Sequence, residues 1–263
     1  MEYYVVDAFT EELFKGNPAG ICLLNKWIAD DLLQNIAAEN NLAETAFLVK
    51  NGDNYDLRWF SPEAEIDLCG HATLASAFII TNFIDKGKSL MSFSTKSGIL
   101  KVNFIKDNDL FEMDFPSRKP QKTEINQIIQ KSINVNIIES YISRDLMLLL
   151  DTEEQIKILE VDFDLIKTFK DCFAFIFTAK SSNNEYDFVS RFFAPNAGIM
   201  EDPVTGSSHS TLIPFWAEKL NKNKLVAKQL SKRGGTLFCE NNGDRVKISG
   251  KAKLYLKGEI VIN

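Results

Sequence analysis

Two histidines, four cysteines and seven prolines are all that the 263 residues hold of the types that build metal centres, disulfide frameworks and stiff linkers. The cysteines (Cys22, Cys69, Cys172 and Cys239) lie far apart and never form a CxxC pair. They read as free thiols of a reducing compartment, three of them buried in or beside strands. Without paired Cys/His spacing, no zinc or transition-metal site is expected. No apolar run approaches the roughly 18 residues of a membrane helix. The opening MEYYVVDAFTEELF has no basic leader, so a cytoplasmic protein with no membrane partner is expected. Basic residues number 30 against 36 acidic ones, a net charge of −6, which does not suit nucleic acid. The small basic spots at 222–224 and 232–233 read as solvated faces.

What is present is an ordinary globular composition, 45% hydrophobic and 25% charged, in a chain long enough for two compact lobes. It carries a repeat. Tyr55-Asp56-Leu57-Arg58-Trp59-Phe60-Ser61-Pro62 recurs as Tyr186-Asp187-Phe188 followed by Arg191-Phe192-Phe193-Ala194-Pro195. Each copy alternates like a strand and stops at a proline, which cannot continue a central ladder. Each is followed by an acidic loop, a glycine turn and an apolar helix. The first turn reads Asp67-Leu68-Cys69-Gly70-His71-Ala72-Thr73, the second Asp202-Pro203-Val204-Thr205-Gly206-Ser207-Ser208-His209. Further on, Ser97-Gly98-Ile99-Leu100 is echoed by Gly234-Gly235-Thr236-Leu237. Three ordered matches at a nearly constant offset predict an internal duplication.

The pattern predicts strands over 4–6, 19–24, 45–49, 56–60, 90–94, 99–103 and 110–115. It also predicts a surface helix over 30–40 and a helix over 74–83 that is apolar almost all round. Residues 116–123 are the linker candidate, dividing the chain into lobes 1–116 and 117–263, with the last strand free to cross back to the first lobe. The expected class is α+β, two similar lobes with the chemistry in the cleft between them.

Three groups of residues can carry chemistry. Both histidines sit in the two equivalent turns. A helix N-terminus exposes unpaired N–H groups and a positive dipole end, so Gly70-His71 and Gly206-Ser207 are candidate anion-binding turns for a small carboxylate ligand. Neither matches GxxxxGK[ST] or GxGxxG, which makes nucleotide phosphates poor candidates. Glu44 lies between a helix end and an apolar strand, where a carboxylate is costly unless paired or used. At a strand edge facing solvent it would be neither. Gly16-Asn17-Pro18-Ala19-Gly20 is turn chemistry running into a strand, and its backbone N–H groups could meet a ligand.

Together, Asp7-Ala8-Phe9-Thr10, Gly16-Asn17-Pro18-Ala19, Asn41-Leu42-Ala43-Glu44-Thr45, Asp67 to Thr73, and Glu201-Asp202-Pro203-Val204-Thr205-Gly206-Ser207 resemble the PhzF family of phenazine-biosynthesis-like proteins. That family shares the fold of diaminopimelate epimerase. The resemblance runs over essentially the whole chain. It implies two lobes, each a β-barrel-like sheet around a central helix, and a cofactor-independent isomerase that moves a proton within a small carboxylic acid. Carried over, Glu44 is general base and then acid, with His71 and Asp202 positioning substrate or proton. Gly70, Gly206, Ser207 and Asn17 bind the substrate, no metal or organic cofactor is implied, and a homodimer is. Phenazine precursors themselves are not implied as substrates. Two alternatives stay open: an epimerase or racemase of an amino or hydroxy acid, and a non-catalytic binding protein on the same scaffold. Two-thiol epimerisation needs a cysteine from each half. Cys69 fits one place, but Thr205 stands at the other.

Overall fold

The computed structural model describes residues 1–262; Asn263, the last residue of the expected second lobe, lies outside them. The chain divides into two compact units, one of Met1–Asp114 with Ile248–Asn263, the other Phe115–Lys247.

Unit 1 opens with β1 (Glu2–Ala8) and β2 (Asn17–Leu24), followed by α1 (Asp30–Asn40) and the hairpin β3 (Glu44–Asn51) and β4 (Asn54–Phe60). A two-residue β5 (Glu65–Ile66) precedes α2 (Gly70–Ile79), and β6 (Leu90–Thr95), β7 (Gly98–Ile105) and β8 (Leu110–Pro116) follow. The sheet runs β1 antiparallel to β2, β2 parallel to β3, β3 antiparallel to β4, β4 parallel to β6, and β6 antiparallel to β7. Each parallel step needs a crossover, and α1 and α2 supply the two. The α1 crossover covers a small cluster of Cys22, Leu33, Ile36, Phe47 and Phe60.

The second crossover, α2, is enclosed. All of its residues but Gly70 and Phe78 are buried, and it touches β1, β2, β3 and β7. Its two interior hydroxyls are satisfied locally. Thr73 Oγ1 donates to the Cys69 carbonyl at 2.6 Å and Ser76 Oγ to that of Ala72 at 2.7 Å. The helix starts four residues before the apolar run at 74–83 suggests, and after Ile79 it loosens into a π-helical turn, Ile80–Ile84. Apolar periodicity does not register polar first-turn residues such as His71, so the helix begins ahead of the apolar run.

Unit 2 contains β9 (Gln121–Thr123), α3 (Gln127–Lys131), β10 (Glu139–Ile142), β11 (Leu146–Leu149) and the short helices α4 (Glu153–Lys157) and α5 (Phe163–Ile166). Then come β12 (Phe175–Lys180), β13 (Phe188–Ala194), β14 (Ile199–Asp202), α6 (His209–Leu220), β15 (Lys224–Gln229) and β16 (Gly235–Asn242). The linker is therefore shorter than residues 116–123, since Pro116 closes β8 and 121–123 form β9. After β17 (Arg245–Gly250), β18 (Ala252–Glu259) pairs antiparallel with β1, seven registered residues of each, in unit 1.

Within unit 2 the pairing sequence is that of unit 1. Here β10 is antiparallel to β11, β11 parallel to β12, β12 antiparallel to β13, β13 parallel to β15, and β15 antiparallel to β16. The repeated arginines take the same part in each. Arg58 on β4 forks onto Glu65 of β5 at 2.7 and 2.8 Å, and Arg191 on β13 forks onto Glu201 of β14 at 2.7 and 3.0 Å.

Pro214 lies inside α6 and has no N–H to give the Ser210 carbonyl one turn back. That carbonyl accepts the backbone N–H of Arg118 instead, at 2.8 Å, which docks the 117–120 segment onto the first turn of α6. Further along the helix, Trp216 stacks on Phe188 at 5.6 Å and donates its indole N–H to Thr178 Oγ1 at 2.9 Å.

Candidate active site

Three unit 1 segments converge on one buried group. The loop from β1 to β2 turns at Gly16, whose φ of +64° puts a would-be Cβ 2.1 Å from the Ala8 carbonyl oxygen. Only glycine fits there, and the turn sets fully buried Asn17 as the first residue of β2. Asn41 ends α1 in the left-handed region (φ 49°), its N–H bonded to the Ala37 carbonyl, and the chain then enters β3 at Glu44 beside Ala19 of β2. Cys69 is the extended residue before α2, and Gly70 and His71 are its first two helical residues.

Glu44 Oε2 lies 2.9 Å from His71 Nε2, with side chains only 13% and 8% exposed. Glu44 thus faces a histidine and not solvent, against the strand-edge reading. Asn17 Nδ2 is 3.3 Å from His71 Nδ1, and Cys69 Sγ is 3.5 Å from the same nitrogen. An amide can turn either its oxygen or its NH2 to the ring, so Asn17 suits both protonation states. Burial works against the imidazolium, but the neighbouring Cys69 and Glu44 outweigh it and hold the His71 pKa well above the ordinary value. Burial, with the Glu44 carboxylate adding to it, pushes the Cys69 thiol up. Glu44, Cys69 and His71 also offer ligand atoms within 4.8 Å of one another. These are donor types that zinc takes, three where a closed structural site has four.

In unit 2, Asp202, Gly206 and Ser207 share one turn. Asp202 ends β14 and accepts a short hydrogen bond from the Thr205 hydroxyl. Fully buried Gln229 clamps the turn. Its Oε1 accepts the Thr205 N–H at 2.9 Å, and its Nε2 donates to the Asp202 carbonyl at 2.7 Å. The α-helix begins at His209, past the expected Gly206-Ser207 start, because 206–208 form a tight turn whose carbonyls accept from three residues ahead. His209 does not match His71 in role. It is completely buried, bonds the Thr205 carbonyl through Nδ1 at 2.8 Å, and burial drives its pKa down to about 4. Ser207 Oγ accepts from Arg144 Nη2 at 3.2 Å.

Residues 6–258 match the phenazine biosynthesis-like protein family, PhzC-PhzF. The chain belongs to this family. A Pseudomonas aeruginosa relative named an uncharacterized isomerase is 43% identical over 257 residues, covering 98% of this chain and 97% of its own. Another so named, from Halalkalibacterium halodurans, is 44% identical over 265 residues, 98% of each chain. The crystal structure of a PhzC/PhzF protein from Clostridium difficile superimposes with a TM-score of 0.94 at 50% identity over all of both chains. At 9–10% identity the fold alone extends to a probable proline racemase of Agrobacterium radiobacter (TM-score 0.62) and a hydroxyproline epimerase of Agrobacterium vitis (0.61). The α+β class thus stands as shared with PhzF proteins and with the fold of this racemase and this epimerase.

Within this PhzF chain, Asn17, Glu44, Gly70 and His71 come together as one group, and Asp202, Gly206 and Ser207 as another. Sequence reasoning missed Gln229 and Arg144. A strand-end glutamine and a hairpin arginine belong to no motif, and only the pairing of β15 and the β10–β11 turn carries them to residues 202–207. No helix among the described residues is long and apolar enough to cross a membrane.

Proposed function

We propose that this PhzF-family chain is a cofactor-independent isomerase that shifts a proton within a small carboxylic acid, with Glu44 as the proton carrier. The observation that carries the reading is the 2.9 Å approach of Glu44 Oε2 to His71 Nε2 in a buried setting. The His71 imidazole pairs with Oε2 as an ion pair, which leaves Oε1 to accept a proton from substrate carbon. The C–H electron pair passes into the adjacent unsaturated carboxylate, where hydrogen-bond donors stabilise the developing charge. Glu44, now neutral, returns the same proton to another carbon, so the product is an isomer and the carboxylate is regenerated. The names of the relatives agree with an isomerase. The repeated strand pairing supports reading the two units as copies of one design, each a sheet around a central helix.

Two-thiol epimerisation, the other chemistry the fold suggests, is disfavoured. Thr205 stands where the second thiol is needed, and the Cys69 thiol is pushed up by burial. The test is solvent deuterium incorporation into a panel of cyclic, unsaturated and amino carboxylic acids. Incorporation that is lost in Glu44→Gln and kept in Cys69→Ala supports the proposal, and the reverse pattern ends it.

A further inference from the structure

Unit 2 contains an electrostatic arrangement that its own residues leave unsolved. Arg144, in the turn between β10 and β11, forks onto fully buried Asp145 at 2.9 and 2.7 Å, lies 4.9 Å over the Phe173 ring, and reaches Ser207 Oγ with Nη2. The same turn is tied to α6 by Ser143 Oγ and Thr211 Oγ1, 3.0 Å apart. Arg118 is brought to that helix end by its backbone bond to Ser210, the carbonyl Pro214 leaves open. Its Nη1 is buried without any hydrogen-bond partner. Arg118 and Arg144 are thus both held at the first turn of α6, and the buried carboxylate of Asp145 is already taken by Arg144.

A buried, unpaired guanidinium nitrogen beside a second cation is costly, and the native fold keeps it. Burial and then the Arg144 charge both press the Arg118 pKa downward, with Asp145 opposing. An oxyanion would relieve all of this at once. Its two oxygens match a guanidinium fork, and the Ser207 hydroxyl lies next to it.

We infer that Arg118 and Arg144, with Ser207, form an oxyanion subsite in unit 2 that holds a small carboxylate. The inference rests on the reading of this chain as acting on a carboxylic acid, and it adds the two residues that would select for charge. Arg118 presents the free N–H groups, and Arg144 is held by Asp145 and Phe173 so that its remaining donors keep a fixed direction. Acids carrying a second anionic group are favoured over monoacids of equal size.

Isothermal titration of the full chain with succinate and, separately, inorganic phosphate tests this without turnover. Wild type and Glu44→Gln bind alike, whereas Arg118→Gln weakens binding about tenfold or more. Arg144→Lys, which keeps the charge on Asp145 but loses the fork, weakens it as well. Succinate bound more tightly than phosphate identifies a carboxylate site, and phosphate bound more tightly overturns that assignment. The inference is overturned if wild type binds neither probe, if Arg118→Gln binds as wild type does, or if Glu44→Gln is the variant that loses binding. Should no acid exchange deuterium while Arg118-dependent binding persists, the proton-shift reading fails and the subsite stands.

Discussion

Glu44 and His71 are each costly where they sit, one a nearly enclosed carboxylate and the other a buried ring, and each supplies what the other needs. Removing the carboxylate should therefore do two separable things. Glu44→Gln lowers deuterium exchange by between about a hundredfold and ten-thousandfold, the range for a positioned acid–base group. It also drops the His71 pKa toward or below the ordinary value, because burial then acts with less opposition. Ring-proton NMR titration of the variant reads this directly, and an unchanged His71 titration would show that the pair is not coupled. The raised pKa also sets the wild-type pH profile. The imidazolium persists through pH ~6.5, so exchange holds there and falls only at higher pH as the ring loses its proton. His209 carries the opposite sign. Its pKa of about 4 in the folded chain lies below an unfolded value of ~6.5, so the unfolded chain binds the proton more readily. Its contribution is whole above pH ~6.5 and drains as pH falls toward 4, about 3 kcal/mol in all. His209→Gln should flatten that part of the stability curve, measured by urea unfolding at pH 7, 5.5 and 4.5.

Between residue and sheet, the elements that set the first group in place were largely legible. The apolar run from Ala19 to Leu24, the Asp30–Asn40 periodicity and the proline stops after Phe60 and Ala194 all follow from local rules, though β2 starts two residues earlier, at Asn17. Glu44 and His71 were legible as residues, but their meeting was not. It depends on the parallel register of β3 on β2, which no local pattern encodes. Arg118 was hidden for a similar reason. Its position follows from a carbonyl freed by Pro214, nearly a hundred residues later in the chain. Gly16 is the element-scale point most open to test. An alanine there meets both a positive φ and the Ala8 carbonyl, so Gly16→Ala should cost ~1–3 kcal/mol in thermal unfolding. It should also lower exchange, because Asn17 shifts with the turn. A variant as stable as wild type would show that the turn re-forms with another φ.

Over the whole molecule, the repeat predicts how stability divides. Each unit pins the strand before its acidic loop with an arginine forked onto a glutamate, Arg58 on Glu65 and Arg191 on Glu201. The two clamps share no partner. Arg58 also meets exposed Asp30, while Arg191 also donates to the Ile156 and Leu159 carbonyls at 3.2 and 2.7 Å. Those carbonyls lie at the ends of α4 and of the segment that follows it, and without Arg191 both lose a charged donor. Arg191→Gln should therefore cost more than Arg58→Gln, about 2–4 kcal/mol against about 1–2, since hydrogen bonds to charged groups are each worth ~1.5–3 kcal/mol and the exposed Asp30 arm adds little. With no common neighbours, the double variant should equal the sum of the singles within ~0.5 kcal/mol. Urea unfolding of the four proteins closes the cycle. A coupling well above that margin would mean that the two copies of the clamp do not act as independent local fastenings.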